Sequence, residues 1–441
     1  MMAILRTFRF WLLMLAWLSA LLQIGLGHYF EPVSVIGVMI FATYIILTLP
    51  FLKKDSVVII SFLILLGFLI IPSLPDNETL LGAGRFMLIF AGLVPTMSLV
   101  KHTAMTMPSV RKTQASLGRL PAESSAAGLQ LAGHAFGGVI NTGTFAMLSA
   151  ALPEKSSLNR RKTAALAALR GMNSSAVWSP FFVAFAIGQS FIDAHSSWVA
   201  IGYGVLISAI FTLSCLFLFT PGFNLSILRS SLICLKPVSL RLLIVLLAVL
   251  GAALTFKLTA LSAVVSVMPA LILIQFIRHP RNVPVIIENT KTSLRSTADD
   301  IVVISSAMLL GYLVTRTGGV AVILEYFTSG ASPAWVALIT TPVAMMLASV
   351  IGIHPVISST ILLSIFSGSG SDADPALLMQ SHLIGWAAGT MSSVASLSVI
   401  TCTTLYDVSS RELAMGVNLY AAFGLALGGG VVLTLINMVI G

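Results

Sequence analysis

The sequence predicts an all-α polytopic membrane protein of about eleven transmembrane helices plus two opposed re-entrant hairpins in an inverted repeat. Three observations predict it. Of 441 residues, 57% are hydrophobic and 9% charged, where a soluble domain carries about 25% charged residues. Apolar runs recur along the whole chain, each long enough to cross a hydrocarbon core of about 30 Å at about 1.5 Å per helical residue. Two further apolar stretches have polar, glycine-bearing middles that suit a turn rather than a lipid-facing rod. The runs are continuous, not alternating, which excludes an outer-membrane barrel.

Taken in order, the spans fall at 10–27, 33–50, 56–74, 79–100, 163–190, 197–219, 241–256, 259–277, 299–315, 376–404 and 413–440. The first resembles a signal peptide's apolar region, but no small-x-small cleavage site follows, so it reads as an additional N-terminal span within 1–32. The net charge of +9 sits in short loops, the distribution that orients a membrane protein rather than one that binds nucleic acid. With the N-terminus inside and the C-terminus outside, all 24 Lys and Arg except Arg85, Arg170, Lys257 and Arg316 face the cytoplasm. This orientation suits a bacterial inner membrane. Cys215, Cys234 and Cys402 have no CxxC or Cys/His spacing, so neither a disulfide framework nor a metal site is expected. Segments 101–123 and 285–298 read as basic helices along the cytoplasmic interface.

The stretch 126–152 is bracketed by Lys101, Arg111, Lys112 and Arg119 before it and by Lys155, Arg160, Arg161 and Lys162 after it. Both flanks belong on one side, so the segment enters and leaves there as a hairpin. The stretch 333–367, broken by Gly-Ile-His-Pro and followed by an acidic loop, reads as a second hairpin from the opposite face. Residues 33–220 and 241–441, joined by a cytoplasmic linker at 221–240, then follow one order: three spans, a hairpin, an interrupted span and a final span. His134 lies 38 residues before Met172, and His354 lies 37 before Met391. Each Met precedes a polar break, Asn173-Ser174-Ser175 or Ser392-Ser393. Span 163–190 would be about 42 Å long if unbroken, so unwinding at Asn173–Ser175, with Pro180 beyond, absorbs the excess. Inverted repeats with paired breaks point to the binding site of a secondary transporter.

This pattern resembles the ion transporter superfamily, most closely its divalent anion/sodium symporter branch. The place of that branch's Ser-Asn-Thr hairpin signature is taken here by Asn141-Thr142-Gly143-Thr144 and by Ser358-Ser359-Thr360. The resemblance implies cation-coupled transport, a homodimer and elevator-type movement against a scaffold.

Candidate substrate- and ion-binding residues are therefore His134, Asn141, Thr142, Thr144, Asn173, Ser174 and Ser175 in one half, and His354, Ser358, Ser359, Thr360, Ser392 and Ser393 in the other. Neutral hydroxyl and carbonyl oxygens suit sodium, and hydroxyl and amide donors suit a carboxylate; the same small residues also serve helix packing. The histidines either carry a coupling proton or cap a freed carbonyl. Arg170 either attracts an anion or caps hairpin carbonyls. No Asp or Glu lies in either hairpin or break, which favours sodium over proton as coupling ion and disfavours sodium/proton antiport. Asp299, Asp300 and Asp407 read as helix-end groups. The expectation is a cation-coupled transporter of a small organic anion, with an exporter, oxyanion permease or antiporter of the same superfamily as the alternative. A channel or an intramembrane Ser/His enzyme ranks lower: no Gly-x-Ser-Gly, His-Glu-x-x-His or Walker A sequence is present. No catalytic residue and no cofactor beyond the coupling ion is expected.

Overall fold

The computed structural model describes residues 2–26, 31–71, 73–153, 155–317, 332–367 and 371–440. Nearly all of them are helical, and the one β pairing among them is an isolated bridge between Ser332 and Ser371. Eight of the described helices are long and apolar enough to cross a membrane, or nine if the bent pair Pro280–Ser296 and Ala298–Val314 counts as one. The chain is an all-helical polytopic membrane protein.

The N-terminal part comprises α1 (Met2–Leu26), α2 (Pro32–Thr48), α3 (Lys54–Ile70), α4 (Asn77–Thr106) and α5 (Pro108–Gly118). Asp299 accepts from the Lys53 amide (2.9 Å) and the Ser56 hydroxyl (3.1 Å). The carboxylate placed by sequence at a helix end thus caps α3 rather than its own helix. Arg85 pairs with Glu31 and donates to the Ser34 hydroxyl, fastening α4 to the start of α2.

Next come α6 (Ala122–Ile140), α7 (Gly143–Ser149), α8 (Leu158–Ser175), α9 (Val183–Gly188) and α10 (Ala194–Phe219). Then follow α11 (Leu225–Phe256), α12 (Ala260–Arg278), α13 (Val283–Ser296) and α14 (Ala298–Arg316). The residues expected as a linker at 221–240 are a loop only as far as Asn224. That side chain accepts from the Ile227 amide and starts a 32-residue helix running through Pro237 into the next span. Arg229 and Lys236 lie on this helix, where long cationic side chains can reach out of the membrane.

The remainder is α15 (Ala334–Val350), α16 (Pro355–Phe366), α17 (Pro375–Ser392), α18 (Leu397–Tyr406), α19 (Ser410–Ala414) and α20 (Val417–Ile440). The acidic loop after the second hairpin lies partly outside the described residues, at 368–370. Fewer helices meet the spanning criterion than the eleven expected. α3 has 17 residues, and the span expected at 163–190 is two helices separated at 176–182.

Both apolar stretches with polar middles turn back on themselves. α6 and α7 are joined at Asn141–Thr142, where Asn141 has φ 50° and its side-chain oxygen accepts from the Thr142 amide at 2.7 Å. Asparagine tolerates positive φ because its amide can bond locally. α15 and α16 are joined through Gly352 (φ 92°) and His354, with Pro355 opening α16.

Candidate functional site

Each hairpin's first arm runs alongside a broken helix at backbone distance, and glycines permit it. A Cβ on Gly171 of α8 would stand 2.0 Å from the Gln130 carbonyl oxygen, and one on Gly137 of α6 would stand 2.7 Å from Ser175 Oγ. In the other half, a Cβ on Gly385 of α17 would meet the Pro342 Cα at 2.9 Å, and one on Gly389 would meet Ser349 Oγ at 2.5 Å. The contacts rise together along both members of each pair, so arm and broken helix run parallel, and each hairpin turns near the neighbouring break.

The breaks have separate causes. After Ser175 the chain leaves helical geometry over 176–182, where Pro180 lacks an amide proton and biases Ser179 away from helix. The Ser179 hydroxyl donates to the Gly138 carbonyl and accepts from the Phe181 amide. Asn173–Ser175, expected to be unwound, are instead the last helical residues before the break. The second break spans 393–396 and contains no proline. Ser396 bridges it, donating to the Thr390 carbonyl at 2.6 Å and accepting from the Val399 amide at 3.2 Å.

The two broken helices cross. Asn173 Oδ1 receives the Thr390 hydroxyl at 2.8 Å and the Ser398 hydroxyl at 3.3 Å, while its amide donates to the Leu169 carbonyl at 2.9 Å. Further along, Gln380 donates to the Val177 carbonyl (3.1 Å), and His382 meets the Ala184 carbonyl (2.9 Å). At the other end Arg161 pairs with Asp407 at 2.6 Å. Ascending one helix thus descends the other, so the segments are antiparallel, and each half-helix beyond a break packs against the other helix ahead of its break.

A histidine–serine pair links hairpin to broken helix on each side. Trp178 Nε1 is a donor only and lies 3.2 Å from His134 Nε2, so that nitrogen accepts. His134 Nδ1 therefore carries the proton and donates to Ser174 Oγ at 2.9 Å, and Ser174 in turn donates to the Gly171 carbonyl at 2.7 Å. Across the molecule His382 Nε2 faces the Ala184 carbonyl and must carry the proton, so Nδ1 accepts from Ser359 Oγ at 3.0 Å. These tautomers follow from the hydrogen-bond network. His134 thus reaches the Gly171 carbonyl, within the helix and not at its break, through Ser174. His354 caps an amide instead of a carbonyl: its Nδ1 accepts from the Val356 amide at 3.2 Å.

Asn141, Thr142 and Thr144 lie at the first tip, and the buried Thr144 hydroxyl has no hydrogen-bond partner among the described residues. Ser358–Thr360 are not at the second tip, which is Gly352–His354; they lie on the returning arm, where Ser358 and Thr360 bond to their own helix. No hydrogen bond joins them to Ser392, whose hydroxyl returns to the Ala388 carbonyl at 2.9 Å. Ser175 likewise bonds to its own helix at Met172, and Ser393 opens the second break.

Arg170 is 3% exposed. It donates to Gln130 Oε1 at 3.1 Å and Asn418 Oδ1 at 3.0 Å, and its guanidinium carbon lies 4.8 Å from the Phe219 ring centroid. Its partners are neutral side chains, not the hairpin carbonyls. Among the described residues no group of three His, Cys, Asp or Glu side chains converges as a metal site would require, and all three cysteines are buried and free.

Thr390, Ser398, Gln380 and His382 escaped the sequence reading. Their signal was positional: each lies within about three turns of the second break, on the helix predicted to face the first.

No protein-family model matches the chain, and no curated protein sequence matches it. Among solved structures, it aligns with the Alcanivorax borkumensis YdaH transporter, whose crystal structure is described as revealing an unusual topology. The TM-score is 0.45 and the identity 13%, over 87% of this chain and 96% of that one. Likeness at that level assigns neither a family nor a function.

Proposed function

We propose that the chain is a secondary active transporter for a small organic anion, a carboxylate by preference, coupled to sodium. The observation that carries this reading is the antiparallel crossing of two interrupted helices at Asn173, Thr390 and Ser398. Broken helices expose carbonyls and amides inside the bilayer only where protein or a ligand satisfies them, and their paired arrangement is the geometry of transporter sites. At this crossing the side chains offer neutral oxygens, the donor class of a hard monovalent cation. The Thr390 and Ser398 hydroxyls, which here donate to Asn173, would have to turn from it to meet an anion.

Sodium is favoured over a proton by the hydrogen bonding of His134. Protonating its Nε2 would set two donors, the imidazolium and the Trp178 indole, against each other. The family resemblance adds a homodimer and elevator-type movement to the proposal, together with a bacterial inner membrane; export or antiport is its alternative. The test is uptake of labelled succinate into proteoliposomes under an imposed sodium gradient. The proposal expects saturable uptake that collapses with the gradient and is lost in Asn173→Ala. Uptake indifferent to both sodium and proton gradients would refute it.

One observation favours an enzyme instead. Ser359 donates to His382, as an activated nucleophile would. Both residues are fully buried, however, which leaves the hydroxyl closed to substrate in this conformation. Covalent labelling of Ser359 by a fluorophosphonate would decide for the enzyme.

A further inference from the structure

A second polar locus lies away from the crossing, at the end of the molecule where α8 begins. A cavity of about 400 Å³ is lined there by Lys162, Leu166, Arg411, Glu412, Met415 and Val417, among others. Lys162 and Glu412 pair at 2.8 Å with side chains 37% and 44% exposed, so the cavity's mouth meets solvent at an ion pair. Exposed pairs of this kind are weakly held, and a ligand carboxylate can take the place of Glu412 on Lys162.

The surroundings favour an anion. Arg160, Arg161, Lys162 and Arg411 outnumber Asp407 and Glu412 in the two segments that meet here. Lys162, Leu166 and Arg170 are successive fourth residues of α8, so they share one face, and Arg170 stands about 12 Å deeper than Lys162. Asn418, which accepts from Arg170, directly follows the lining residue Val417. An exposed cation and an apolar residue at the cavity, and a buried cation with neutral partners one further step along α8, therefore follow one another on one helix face. Charges of one sign along low-dielectric walls concentrate ligands of the other sign.

We infer that this cavity is an entry vestibule for a small carboxylate anion. Lys162 and Arg411 receive the carboxylate, Glu412 is the internal anion it displaces, and Arg170 draws it inward. The inference deepens the transport reading, on which the destination rests, whereas binding at the vestibule is measurable without transport.

The test places one cysteine in the lining, Met415→Cys; the three native cysteines are buried. The purified full chain is labelled in neutral detergent with an anionic or a cationic methanethiosulfonate, and rates are referred to those of a free thiol. The anionic reagent is expected to be favoured about tenfold. That preference should fall several-fold when Lys162→Gln and Arg411→Gln are added, and rise with Glu412→Gln. Because the last variant moves the ratio the other way, loss of folding cannot mimic the result. Millimolar succinate should slow labelling. An unchanged ratio across these backgrounds, or no protection by succinate, overturns the inference. Protection by anionic phosphatidylglycerol in nanodiscs but not by succinate would assign the cavity to a lipid headgroup and also overturn it. Succinate that protects the introduced thiol but is not carried into proteoliposomes would leave the vestibule standing and sink the transport reading instead.

Discussion

In the first half of the molecule the hairpin carries the histidine, His134, and the broken helix carries the serine, Ser174. In the second half the hairpin carries the serine, Ser359, and the broken helix the histidine, His382. The glycines of closest approach are distributed differently too: Gly133, Gly137 and Gly171 are shared between hairpin and broken helix in one half, while Gly385 and Gly389 lie on the broken helix alone in the other. Close packing needs a gap in one of two facing surfaces, and a buried imidazole needs a hydrogen-bonding group opposite it, here a hydroxyl. Neither requirement fixes which helix supplies which part, so the joint is repeated although its residues are not.

The tightest contact offers the largest expected effect. At Gly171 an added methyl meets main chain, which cannot rotate away, whereas at Gly389 it meets a serine side chain that can. Gly171→Ala should cost about 3 kcal/mol and Gly389→Ala about 1 kcal/mol in detergent unfolding. Gly251→Ala, in a helix with nothing within 4 Å, should be neutral or slightly stabilising. Equal losses at Gly171 and Gly389 would show that the Ser349 side chain yields no more readily than main chain.

Next in size is the crossing itself. Asn173→Ala strands the Ser398 hydroxyl, leaves Thr390 bonded only within its own helix, at the Trp386 carbonyl, and removes one of the links between the halves, with an expected loss of about 1–3 kcal/mol. A double-mutant cycle with Thr390→Val should show clear coupling; additivity would mean that the two side chains do not interact. Ser174→Ala should destabilise more than Ser359→Ala, because the Ser174 hydroxyl serves His134, the Gly171 carbonyl and Thr212 Oγ1 at 3.4 Å, whereas the Ser359 hydroxyl serves His382 alone among the described residues. Thermal unfolding of the pair checks the order. The smallest effect is expected from His134→Gln. Since both ring nitrogens are occupied in the neutral form, the pH profile of uptake should keep its shape, and a displaced profile would restore the coupling-proton role.

The sequence disclosed much of this because hairpins and breaks depend on local chemistry. Flanking lysines and arginines, Pro180, Gly352 and His354-Pro355 mark the turns without reference to any partner. Asn141 was legible for the same reason. The crossing partners were not: Thr390 and His382 act across more than a hundred residues, and nothing in a serine- and threonine-rich helix marks which hydroxyl faces inward. Ser358–Thr360 misled because a signature sought at a tip was found one turn beyond it, where two of the three hydroxyls simply return to their own helix. The linker at 221–240 misled because a charged, mixed segment is equally compatible with an amphipathic helix end.

The claim that neutral oxygens at the crossing hold a cation is tested most directly by the melting temperature of the purified protein in sodium chloride and in choline chloride at equal ionic strength. Ligand that binds only the folded state raises the midpoint in proportion to its occupancy. The account predicts a higher midpoint in sodium for the native chain and no difference for Asn173→Ala. Identical midpoints in the native chain, or a sodium effect that survives Asn173→Ala, would contradict it.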